Sequence, residues 1–151
     1  MKLAEALTIR SDLQRKVHQL RERIFRNAKV QVDEIPAEDP NELLESLEQA
    51  TVELVAIIKR INTTNSQIRF DENRYLSDSL SDRENLANKV ELYRELAKQA
   101  TVTQDRYKKL EIKFKPAVDV RQIQKKGDLY AKLYRELDMK IQSINWTEEL
   151  L

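Results

Sequence analysis

The stretch Asp39-Pro40-Asn41-Glu42-Leu43-Leu44-Glu45-Ser46-Leu47, continued through Ala50, Leu54, Ile57, Ile61, Thr64 and Ile68, decides how this chain is read. Leu43, Leu47 and the residues that follow recur at alternating three- and four-residue steps, which line them up as one stripe of a helix. The start of that helix is equally well marked. Asp39 can accept hydrogen bonds from the free amides of the first turn, Pro40 suits the first helical position, and Glu42 completes a capping-box-like spacing. The pattern predicts a long helix over residues 40–64 that offers an apolar heptad seam to a partner helix.

Upstream, Leu3, Ala6, Arg10, Leu13, Val17, Leu20, Ile24 and Asn27 repeat the same steps and predict a helix over 3–29. Arg10 and Asn27 are polar residues on this seam. Such residues fix register or oligomer state in coiled coils, which makes both candidate interface residues; the alternative is a frayed seam, with Arg10 snorkelling outward. The intervening residues from Lys29 to Asp39 lack periodicity and read as an acidic loop. Charge separates the two blocks. Residues 1–29 carry eight Lys/Arg against three Asp/Glu, whereas residues 30–60 carry two against eight. Opposite charge across a short connection predicts an antiparallel helical hairpin.

After Asn62-Thr63-Thr64-Asn65-Ser66 the period falls to two. Ile68 and Phe70 alternate with Gln67 and Arg69, Asp71-Glu72-Asn73 supplies turn chemistry, and Arg74-Tyr75-Leu76 can return as a second strand. The similar run Glu111-Ile112-Lys113-Phe114-Lys115, stopped by Pro116, reads as a third. A two-stranded ribbon is marginal alone, so the three segments (67–70, 74–76 and 111–115) are expected to form a small antiparallel sheet, within one chain or between chains. Further helices are predicted over 77–100, capped by Ser77, and over 119–145, started by Asp119. The fold class is thus mainly α, four long helices of the antiparallel hairpin or coiled-coil type with a small β-sheet insertion, in a single domain spanning 1–151.

Composition narrows the chemistry. Cysteine is absent and His18 is the sole histidine, which removes thiol nucleophiles, thiolate zinc sites, disulfides and histidine-pair metal sites. Charged residues make up 35% of the chain and glycine occurs once, favouring solvated helices over a compact α/β enzyme. The apolar run Leu54 to Ile61 is broken by Lys59 and Arg60 and falls short of the roughly 20 residues of a membrane span. Met1 to Arg10 lacks the apolar core and cleavage site of a signal peptide. These features predict a cytoplasmic protein with no membrane association, no cofactor and no metal.

Candidate sites are few. Residues 102–126 carry eight Lys/Arg against three Asp/Glu. There Arg106, Lys108, Lys109, Lys113 and Lys115 interleave with Tyr107 and Phe114, cations for phosphates beside aromatic faces for bases. The competing reading is an ordinary solvated strand whose lysines discourage edge-to-edge pairing, with Phe114 turned to the core beside Ile112. Gln104-Asp105-Arg106-Tyr107 and Asn62-Thr63-Thr64-Asn65 could frame a polar pocket, or cap helix ends as such residues usually do. Gly127, on the last helical stripe, implies either a kink or a close approach of another backbone. Trp146 is a candidate interface anchor when exposed and a stabilising lid when buried. With Arg10 and Asn27, these two complete the candidate interface set. No small-molecule substrate site and no catalytic pair stands out.

Met1-Lys2-Leu3-Ala4-Glu5-Ala6-Leu7, Asn27-Ala28-Lys29-Val30-Gln31, Glu38-Asp39-Pro40, Ile61-Asn62-Thr63-Thr64-Asn65, Gln104-Asp105-Arg106-Tyr107 and Asn145-Trp146-Thr147 together resemble a family of small bacterial proteins often labelled septicolysin-like. The resemblance spans nearly the full length and brings no site residues with it. Its label implies a pore-forming cytolysin. The residues oppose that, offering no signal peptide, no membrane-length segment and no amphipathic hairpin long enough to span a bilayer. The sequence therefore points to a non-enzymatic homo-oligomer that works as a structural or interaction module, with nucleic-acid binding through 102–126 as the alternative.

Overall fold

The computed structural model describes residues 1–102 and 112–151. Among these residues there are four helices: α1 (Leu3–Arg26), α2 (Pro40–Gln67), α3 (Leu76–Ala100) and α4 (Val120–Thr147). They belong to two compact units, one formed by Met1–Arg69 with Gln142–Leu151 and the other by Phe70–Ile141.

In the first unit α1 and α2 pack on each other. Leu20, Leu43 and Ala50 are buried between them, with Val17, Ile24 and Leu47 packed around. Both caps of α1 are made by side chains. Glu5 reaches back to accept from the Lys2 amide at 2.7 Å, and the Asn27 amide nitrogen donates to the Arg23 carbonyl at 2.9 Å. The connection to α2 includes Asp33 with φ 71°, a left-handed conformation that Asp tolerates better than most residues. Asp39 then opens α2 by accepting from the Asn41 amide at 2.9 Å. The hairpin is held by its seam rather than by a ladder of charges. Among the described residues the ion pair tying α1 to the following segment is Arg23 to Glu38, and Asp12–Arg15 and His18–Glu22 are pairs within α1.

The two ends of the chain close this unit. Lys2 and Glu149 form an antiparallel bridge, with Leu3 N–H donating to the Glu148 carbonyl at 2.9 Å and Leu150 N–H to the Met1 carbonyl at 2.8 Å. Thr64, a polar residue on an apolar stripe, is fully buried. Its hydroxyl donates to the Arg60 carbonyl at 2.8 Å and accepts from Leu151 N–H at 3.0 Å, so the burial leaves that oxygen satisfied.

The second unit pairs α3 with α4 in antiparallel fashion, Arg83 meeting Asp138 at 2.6 Å and Tyr93 meeting Tyr130 with ring centroids 5.3 Å apart. Gly127 is buried in α4, and a Cβ built on it would lie 3.4 Å from Cβ of Tyr93. The helix runs unbroken through this glycine, so close approach rather than a kink accounts for it.

The expected β-sheet insertion is absent from the described residues, and the fold class is corrected to four helices without a sheet among them. No strand occurs among the described residues. α2 continues through Gln67, past the point where alternation seemed to begin. Phe70 is buried, but in a turn: its amide donates to the Arg74 carbonyl at 2.9 Å, and Asp71 accepts from the Asn73 and Arg74 amides. α3 follows immediately, Asp78 accepting from the Tyr75 amide at 2.7 Å, so what remains of the expected strands here is single bridge residues, Arg69 and Tyr75. Of the third segment, residues 112–115 are outside any strand and Ile112 and Phe114 are 70% and 71% exposed. Two alternating apolar residues are too short a pattern to separate a strand from a helix exit.

Candidate functional site

The basic segment is only partly within the described residues. Arg106, Tyr107, Lys108 and Lys109 lie outside them, as does the Gln104–Tyr107 half of the expected polar pocket. Lys113 and Lys115 are exposed, and Phe114 beside them faces solvent rather than a core. The other half of that pocket, Asn62–Asn65, lies within α2, where Thr63 and Thr64 donate to carbonyls one turn back.

The interface candidates fall into different roles. Asn27 is an internal tie: besides capping α1, its Oδ1 accepts from the Glu38 amide at 3.1 Å. Arg10 is half-buried with its Nε shielded and unpartnered among the described residues. Gly127 is committed to Tyr93. Trp146 is 65% exposed, so it is no lid and its indole is available to a partner.

Two charged knots stiffen the local structure. Arg74 pairs with Asp71 and with Asp82, each at 2.7 Å, while Arg74 and Lys140 lie over the Phe70 ring at 4.9 and 4.3 Å. Hydrogen bonds from the Arg74 side chain, then from the Asn73 backbone, hold the Asp71 carboxyl below its usual range. At the chain ends, Glu149 accepts from Lys2 Nζ at 2.7 Å and from the Met1 ammonium at 2.9 Å. Lys2, followed by that ammonium, pulls the Glu149 carboxyl down to about 2. The Arg74–Asp82 knot lines an open cavity of about 480 Å³ together with Phe70, Asn85, Glu136 and Lys140, whereas the Glu149 contacts tie the two chain ends to each other. Among the described residues no group of three or more His, Asp or Glu could hold a metal, and no helix is long and apolar enough to cross a membrane.

The surface features that sequence reasoning passed over are apolar. In the second unit Leu92 and Leu129 are 62% and 53% exposed, and Leu96 and Leu133 are also outward. A groove of about 470 Å³ runs between α3 and α4, its floor made by Ala87, Val90, Ala131 and Tyr134. Its rims carry Glu91, Arg94 and Glu95 on α3 and Arg135 on α4. Among the described residues the side-chain ion pairs of this unit are Arg74–Asp71, Arg74–Asp82, Arg83–Asp138 and Lys132–Glu136, and Glu91, Arg94 and Arg135 take part in none of these. In the first unit α2 shows a second apolar flank, with Leu44, Val52 and Val55 exposed. The signal was in the sequence, as extra apolar residues such as Leu129 and Leu133 at a four-residue step beside the main stripe.

Residues 10–150 match a family described as a family of unknown function (DUF6847). The chain belongs to that family. This DUF6847 member is also similar to a crystal structure of a functionally unknown conserved protein from Corynebacterium diphtheriae. The identity is 46%, the match covers 100% of this chain and 99% of that one, and the TM-score is 0.93. No curated protein matches. A likeness this complete carries the four-helix architecture beyond this one DUF6847 sequence.

Proposed function

We propose that this protein is a non-enzymatic, self-associating structural or protein-interaction module of the cytoplasm. The observation that carries the reading is the outward apolar side chains of paired helices, Leu92, Leu129 and Leu133 on α3 and α4 and Leu44, Val52 and Val55 on α2. Helix flanks of this kind are the surfaces through which helical proteins meet partners. Half-buried seams such as Leu13, Val17, Tyr134 and Leu137 favour the same reading, because a two-helix pair leaves its seam partly wet until further helices cover it. The test is thermal unfolding across a hundred-fold range of protein concentration. An associating chain melts higher as concentration rises; a midpoint that does not move would count against the proposal.

A second reading, polyanion binding through 102–126, is favoured by the exposure of Phe114 between Lys113 and Lys115, which puts an aromatic face beside two cations. Here Lys113→Ala with Lys115→Ala should weaken binding to single-stranded nucleic acid and flatten its log–log salt slope by about 1.4. An unchanged slope would remove these lysines from the contact. The septicolysin-like resemblance enters only as a proposal of kinship, and cytolytic activity is no part of it.

A further inference from the structure

We propose that the cavity beside Phe70 binds a small zwitterion with an apolar side chain, of the free amino acid class, its carboxylate on Arg74 and Lys140 and its ammonium on Glu136. The proposal goes beyond the interaction reading and does not rest on it. The cavity measures about 480 Å³; Leu133 and Leu137 give it an apolar wall, and Arg74, Lys140, Asp82 and Glu136 its charges. Small-ligand sites have this size and this mixture of apolar lining with a few polar groups. Arg83 meets Asp138 across the helix pair, so Asp82 and Lys140 stand at one end of the cavity, where Arg74 pairs with Asp82 at 2.7 Å. Glu136 lies about one turn away along α4, and Leu133 about one turn beyond it.

The charges choose the ligand. Arg74 donates from Nε and Nη2 to Asp71 and from Nη1 to Asp82. Those bonds fix the guanidinium and leave an N–H on each terminal nitrogen without a partner among the described residues. Glu136 and Lys140 have the spacing and order of a helical ion pair, yet they do not form one. The Lys140 ammonium lies over the Phe70 ring at 4.3 Å, and Glu136 reaches back toward Lys132 at 4.0 Å. Two cations and two carboxylates therefore line the cavity, with Asp71 behind Arg74, and no surplus of positive charge is present to hold a lone anion. A lone cation would face Lys140 and the spare Arg74 donors. A zwitterion meets both signs: its carboxylate takes the donors of Arg74 and Lys140 in charge-assisted bonds, its ammonium takes Glu136, and its side chain lies along Leu137 and Leu133.

The experiment is a ligand-observed NMR titration of full-length protein with L-leucine, beside glycine, N-acetyl-L-leucine and L-leucinamide, which lack in turn the side chain, the ammonium and the carboxylate. L-Leucine is expected to bind at least about tenfold more tightly than each of the three, because each forfeits either buried apolar area or a bond to a charged group. Lys140→Gln and, separately, Glu136→Gln should raise the Kd for L-leucine at least about tenfold, with helicity checked by circular dichroism. Glu45→Gln, in the other unit, should bind as the parent does. Should Lys140→Gln lose helicity, Glu136→Gln and the three analogues read the same site. No binding of L-leucine up to its solubility, an analogue that binds as tightly as L-leucine, or folded variants that keep the parent Kd would each overturn the proposal and leave self-association standing.

Discussion

Gly127→Ala is expected to stabilise the protein, and Gly127→Leu to destabilise it. The glycine lies inside α4, where alanine is preferred over glycine by about 1 kcal/mol. Its added Cβ would stand 3.4 Å from Tyr93 Cβ, an ordinary contact that adds about 0.1–0.2 kcal/mol of attraction. The sum is a gain of about 1 kcal/mol, or about 3 °C in Tm for a chain of this size. Leucine places three further carbons against the Tyr93–Tyr130 ring pair, whose centroids are 5.3 Å apart. Overpacking of that kind costs about 1–3 kcal/mol, which exceeds the propensity gain. Parallel thermal and urea unfolding of the three proteins reads both signs. An alanine variant less stable than the parent would mean that the helices are closer at this crossing than the contact allows. A leucine variant as stable as the parent would mean that they are not held together there.

Two further outcomes follow from named contacts. Asn27→Ala removes both the α1 cap and the tie to the Glu38 amide and should cost about 1–2 kcal/mol in urea unfolding; a loss under ~0.3 kcal/mol would place the tie outside the folded state's energetics. The Glu149 carboxyl is pulled down to about 2 when folded, from its ordinary value of 4.5, because Lys2 and the Met1 ammonium stabilise its charged form. Its contribution is therefore present above pH ~4.5 and is lost as pH falls toward ~2. Glu149→Gln should flatten that part of the acid-unfolding profile, and a variant with the parent's acid profile would show that the end-to-end contact does not couple to stability.

The helices were legible because their signals are long. Eight stripe positions from Leu43 to Ile68 and the Asp39-Pro40 start define α2 without reference to anything else, and Asp119 does cap α4, accepting from the Gln122 amide at 3.2 Å. The sheet was misread because its evidence was short. Ile68 and Phe70 are two steps apart at the exit of a helix, and Asp71 makes a turn that feeds α3 directly instead of returning a strand. Phe70 is buried as expected of an apolar residue, but Arg74 and Lys140 cover its faces, a contact across 70 residues that no local pattern encodes. The interface candidates were chosen as polar interruptions of apolar seams. Asn27 satisfies that description while serving its own chain, whereas the outward Leu92, Leu129 and Leu133 look unremarkable beside the main stripe and only the packed helices reveal which apolar positions stay uncovered.

The central claim is that the outward apolar flanks of these helices are covered by a second copy of the chain. Light-scattering molar mass of the purified protein, followed over a dilution series with the ratio of absorbance at ~260 and ~280 nm read across the peak, tests it most directly. The account predicts a closed multiple of 17.8 kDa with a protein-like ratio. A mass of 17.8 kDa at every concentration would contradict it, and a raised ratio that falls after nuclease treatment would give the exposed lysines of the 102–126 segment the larger role.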